Sequence, residues 1–123
     1  MSFNRVFIMG NVGGDPEVRS VQGGAKVANL RVATSEKYKD RGGNVVENTE
    51  WHNVVVWNKP AEFVEQYVRK GSLVLVEGKL TTRQWTDQQG QKRYSTEVKC
   101  DSIQLIGGPK KNERDDDLPE FLR

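Results

Sequence analysis

Residues 60–70 (PAEFVEQYVRK) carry the period of an amphipathic helix, and strand-like runs flank them on both sides. Pro60 suits a first helical turn. Phe63, Val64, Tyr67 and Val68 form one apolar stripe, and Gly71 stands where a C′ residue belongs. Before this helix the chain offers three strands. Residues 4–12 (NRVFIMGNV) are apolar on both alternating faces, as expected of a strand covered by the core on one side and by a partner on the other. Gly13, Gly14, Asp15 and Pro16 break it. Residues 26–35 (KVANLRVATS) alternate, with Ala28, Leu30 and Val32 on one face and Asn29 and Arg31 on the other. Residues 49–57 (TEWHNVVVW) make the third.

Two strands follow the helix. Residues 72–85 (SLVLVEGKLTTRQW) contain Gly78, which marks a bend or bulge. Residues 93–106 (RYSTEVKCDSIQLI) change apolar parity from Val98 and Cys100 to Ile103 and Leu105, which a bulge near Asp101 would explain. Five strands with one short helix between the third and fourth is the plan of an all-β OB-fold barrel. Residues 37–48 (KYKDRGGNVVEN) read as a long basic hairpin loop around Gly42 and Gly43. The chain divides into a barrel domain, residues 1–106, and a short flexible linker with an acidic tip, residues 107–123.

Alternation locates the chemistry. Trp51, Asn53, Val55 and Trp57 share one strand face, and His52, Val54 and Val56 share the other. The compact aliphatic face suits the core, so the tryptophan face is left toward solvent, with Lys59 in line. The next strand repeats this, with Lys79, Thr81, Arg83 and Trp85 opposite Val74, Val76 and Leu80. Lys37, Tyr38, Lys39 and Arg41 add a ring flanked by cations. Rings interleaved with cations on one surface suit a single-stranded nucleic acid: bases stack on the rings and phosphates meet Lys and Arg. Arg19 is a further expected phosphate contact.

Other chemistries find little support. One cysteine, Cys100, and one histidine, His52, make neither a disulfide nor a Cys/His zinc site. No nucleophile–base pair is evident, so the sequence points to a binder, not an enzyme, and to no cofactor. Gly13 and Gly14 are not followed by the Lys-Ser/Thr of a phosphate-binding loop. The absence of long apolar runs and of a secretory leader points to the cytoplasm. The rivals are an RNA-binding module and an adaptor whose aromatics bury in protein. Residues 1–106 carry 15 Lys/Arg against 12 Asp/Glu, and residues 107–123 carry 4 against 5. This split suggests two binding surfaces. Acids next to apolar anchors at the tip (DDDLPEFLR) suit a peptide that docks in a basic, apolar groove.

The stretches NRVFIMGNVGGDPEVR, VANLRVATSE, TEWHNVVVWNKPAEFVEQYVRKGSLVLVEGKL and TRQWTDQQGQKRYSTEV resemble the bacterial single-stranded DNA-binding proteins over residues 3–106. The resemblance implies sequence-independent binding and protection of single-stranded DNA in replication, recombination and repair, by a nucleoid-associated homotetramer. It implies base stacking on Tyr38, Trp51, Trp57 and Trp85, with Tyr38 where Trp is common and Trp57 where Phe is common. Lys59, Lys70, Arg83 and Arg93 fall on phosphate-contacting positions. His52 falls on a subunit-interface histidine, and Val6 and Ile8 are expected at that interface too. Asp115, Asp116, Asp117, Leu118, Pro119 and Phe121 form the tip that would recruit replication and repair proteins. Two departures stand out. The Gly/Pro/Gln-rich linker of the family is nearly absent, and Glu120, Leu122 and Arg123 interrupt or extend a tip that otherwise ends in Phe.

Overall fold

The computed structural model describes residues 1–109. Six strands and one helix follow in the order β1 (Val6–Val12), β2 (Glu17–Ser20), β3 (Lys26–Lys39), β4 (Val45–Trp57), α1 (Lys59–Tyr67), β5 (Leu73–Thr86) and β6 (Lys92–Gly107). The sheet order is β1-β5-β6-β4-β3-β2, and a further β1–β3 pairing closes it into a barrel. β4 and β6 pair in parallel through Val54–Val98, Val55–Lys99 and Val56–Cys100, and every other pairing is antiparallel. This is the OB-fold read from the sequence. The additional strand, β2, continues β1 past the Gly13–Pro16 break. Both lie along the same strand, β1 opposite Val32 and Ala33 and β2 opposite Lys26–Asn29 of β3. Its sequence, EVRS, has one apolar residue and so no alternation to read.

The core is mostly valine: Val12, Val32, Val54, Val56, Val64, Val68, Val74 and Val76 are all fully buried. β-branched side chains fit the pleated inner wall with little rotamer freedom to lose. The helix plugs the barrel with Ala61 and Val64, and Val68 just past its end is buried with them, while Tyr67 stays outside at 57% exposure, its ring 5.1 Å from that of Phe63. α1 also ends earlier than the pattern suggests. Val68 is already extended. The Arg69 guanidinium donates to the carbonyls of Glu65, Gln66 and Val68, which satisfies the helix end without a glycine cap. Gly71, with φ +89°, instead donates its N–H to Val12 and ties the turn to β1.

The bulge lies where the parity change places it. Glu77 pairs with Ser102 and Gly78 with Cys100, so Asp101 is the extra residue. Gly78 is required there, because a Cβ would come 2.1 Å from the Lys99 carbonyl oxygen.

The expected loop at 37–48 is mostly strand. β3 and β4 stay paired out to Lys39–Val45, and the turn is residues 40–44 alone. β5 and β6 likewise stay paired out to Thr86–Lys92. Two twisted ribbons thus project from the barrel. Leu80, expected in the core, lies where the second ribbon leaves the barrel and is 49% exposed.

Candidate nucleic-acid interface

Register assembles the outer face row by row, since residues paired across strands share a face. Arg19, Val27 and Trp57 form one row across β2, β3 and β4. Val55, Lys99 and Lys79 form the next across β4, β6 and β5. Beyond it the two ribbons diverge and frame a cleft of about 640 Å³, bordered by Gly13, Arg31, Trp51, Asn53, Arg83 and Glu97 among others. The Trp85–Arg93 pair continues the face along the second ribbon.

Trp51, Trp57 and Trp85 are 47%, 39% and 40% exposed, far more than large aromatics with a packing role. Two of them carry an arginine. The Arg31 guanidinium lies 4.8 Å from the Trp51 ring centroid and that of Arg83 lies 4.7 Å from Trp85. The Trp51 ring also rests against the backbone at Gly13, where a Cβ would come 2.3 Å from Cζ3. Lys79 and Lys99 face each other directly, a like-charge pairing that is unfavourable until an anion lies between them.

Arg31 and Lys99 belong to this surface although the expected contacts leave them out. Their signal is parity: each alternates with core residues on its own strand, Arg31 between Leu30 and Val32, and Lys99 between Val98 and Cys100.

The remaining expected cations spread around this surface. Lys59 opens α1, two residues past Trp57. The Lys70 backbone N–H donates to Asp15 Oδ1 at 2.9 Å, which ties it to the turn beside the cleft. Lys37 and Lys39 lie along the first ribbon and Arg41 at its tip. Arg93 Nε is paired with Asp87 Oδ2 at 2.9 Å.

Tyr38 does not join the tryptophans. β3 pairs with β4 without a register shift, so Tyr38 has the parity of Leu30 and Val32 and lies on the ribbon face opposite to Arg31. It is 48% exposed, opposite Val46, with its hydroxyl accepting from Asn48 Nδ2 at 3.5 Å. Ile8 also differs from expectation. It points into the core at 8% exposure, so the outward face of that strand belongs to Phe7 instead, at 66%. Val6 and His52 are half-buried, and His52 Nε2 shares a hydrogen bond with Thr34 Oγ1 at 2.8 Å. The Cys100 thiol is pushed up to about 11 by burial, which keeps it protonated and unreactive at neutral pH. The tip residues Asp115, Asp116, Asp117, Leu118, Pro119 and Phe121 lie outside the described residues.

Residues 3–106 match the single-strand binding protein family, which covers the whole barrel and both ribbons. The chain belongs to that family. A solved complex of the Plasmodium falciparum SSB with single-stranded DNA is similar to it, with a TM-score of 0.76 and 34% identity over 86% of this chain and 95% of that one. Among the described residues no helix is long and apolar enough to cross a membrane.

Proposed function

We infer that this chain binds single-stranded DNA without regard to sequence, by stacking bases on Trp51, Trp57 and Trp85 and meeting phosphates with the cations around them. One observation carries the reading: three exposed tryptophans share an outer barrel face with Arg31, Lys79, Arg83, Arg93 and Lys99, around an open cleft. Every base has a π-face, so such a platform tolerates any sequence. The family and the Plasmodium SSB–ssDNA complex support the same ligand.

Tyr38, on the reverse of the first ribbon, fits a strand that passes around the ribbon's edge, with Lys37, Lys39 and Arg41 along the way. Arg19, Lys59 and Lys70 would extend the phosphate track on the other flank. The reading is of binding without catalysis and without a cofactor. Four such barrels would assemble as a homotetramer, with His52 and the outward Phe7 toward the subunit contacts, since Val6 shares the core-facing parity of Ile8. The protein would act in the cytoplasm, at the nucleoid, protecting single strands during replication, recombination and repair, and its acidic tip would recruit partner proteins.

The test is tryptophan fluorescence during titration with oligo(dT). Strong saturable quenching is expected, reduced by Trp51→Ala and by Trp85→Ala. In proteins of this class each stacked base contributes about 1–3 kcal/mol, so each substitution should weaken binding at least severalfold. Unquenched tryptophans together with no binding in a gel shift would overturn the reading.

A further inference from the structure

A carboxylate in the wall of a polyanion site needs a reason, and Glu97 is such a carboxylate. It lies on the outer face of β6 beside the cleft, 9% exposed, and among the described residues it is the only charged side chain so buried. On charge alone it opposes the ligand. Its Oε1 accepts from Arg83 Nε at 2.7 Å. Register explains the meeting: Thr81 pairs with Glu97 and Arg83 with Ser95, so Arg83 and Glu97 are diagonal neighbours on one face.

The Arg83 guanidinium is therefore held twice. Glu97 holds its Nε edge, and its Cζ lies over the Trp85 ring, 4.7 Å from the centroid. Among the described residues its two terminal nitrogens have no partner. A guanidinium fork grips a phosphate through two parallel N–H donors, which requires those nitrogens to face outward together. A free arginine side chain disperses over many rotamers, and ordering it costs affinity. Arg31 over Trp51 provides the internal contrast: it lies 4.8 Å from the ring centroid, and among the described residues no carboxylate pairs with it.

We propose that Glu97 is a positioning residue for DNA binding: it fixes Arg83 over Trp85 so that its terminal nitrogens meet a phosphate while a base stacks on the free face of the ring. The proposal rests on the single-stranded DNA reading above.

Sign separates this role from the alternatives. Glu97→Met keeps the bulk, removes the acceptor and makes the surface one charge more positive. It should nonetheless weaken oligo(dT) binding about five- to tenfold at fixed salt. Glu97→Gln, whose amide oxygen still accepts from Nε without charge assistance, should fall between Glu97→Met and the wild type. In an Arg83→Ala background, Glu97→Met should cause no loss. Glu97→Met binding as tightly as the wild type, or tighter, would overturn the proposal in favour of a merely repulsive charge. Equal losses in both backgrounds would overturn it in favour of a folding role. Wild-type protein that fails to bind oligo(dT) at all would instead remove the underlying reading.

Discussion

Gly13 has no room for a side chain, because the Trp51 ring occupies the space. Its backbone is not left-handed, so Gly13→Ala meets a steric demand and not a conformational one. The ring must tilt away, and with it the plane on which a base would stack. We expect Gly13→Ala to cost roughly 1–2 kcal/mol of single-stranded DNA affinity while the barrel stays folded, read by fluorescence titration alongside thermal unfolding. Unchanged quenching would show that the ring does not need this seat. Cys100 makes a separate prediction. Burial raises its thiol from 9.0 to about 11, so the native state holds a proton that the unfolded chain has already released in between. Stability should therefore fall as pH rises from about 9 to 11, and Cys100→Ala should flatten that slope in denaturant titrations.

Three hairpins share one backbone turn. Residues 21–25, 40–44 and 87–91 each pair first N–H with last carbonyl, and each bonds the fourth N–H to the first carbonyl. The fourth residue is Gly24, Gly43 or Gly90, with φ between 79° and 84°. At the two ribbon tips an aspartate adds to this. Asp40 Oδ1 accepts from the backbone N–H groups of Gly42 and Asn44, and Asp87 Oδ1 from those of Gln89 and Gln91. The Gln91 amide, followed by Arg93, holds the Asp87 carboxyl below its ordinary value. Its contribution is present above the unfolded value and is lost as pH falls through the lowered one. Asp87→Ala should speed hydrogen exchange at Gln89, Gln91 and the end of the second ribbon, and leave the barrel core protected. Uniform loss of protection across the barrel would contradict the local character of this cap.

At the scale of the molecule, alternation explains what the sequence discloses. Where one face is buried, as at Leu30–Val32 or Val54–Val56, polar and aliphatic residues must alternate, so the barrel, the tryptophan face and the Asp101 bulge are all legible. Along Ser35–Lys39 and Val45–Glu50 both faces meet water and nothing enforces a pattern, so the first ribbon reads as a loop. The misplacement of Tyr38 follows from that, since a loop has no parity, whereas counting evenly from Val32 puts it on the reverse. Ile8 is ambiguous for the opposite reason: Val6–Met9 is apolar throughout, and only the packing of the fold decides which side faces in. The proposed tetramer belongs to this scale too. Light scattering should give four times the 14.0 kDa chain mass, and a monomer mass in dilute solution would refute it.

The ribbons also set a rule for how such a protein can change its reach. Each is a paired ladder ending in a self-contained turn, so its length is independent of the barrel below. Side chains repeat every second residue, so adding two residues to each arm would lengthen a ribbon and return every ring to its side. Adding one to each would turn Trp85 and Arg93 to the back and leave the lattice of contacts at the root untouched. Reach in this architecture is quantised: it can grow or shrink in even steps, about 7 Å at a time, and odd steps are barred by the pleat.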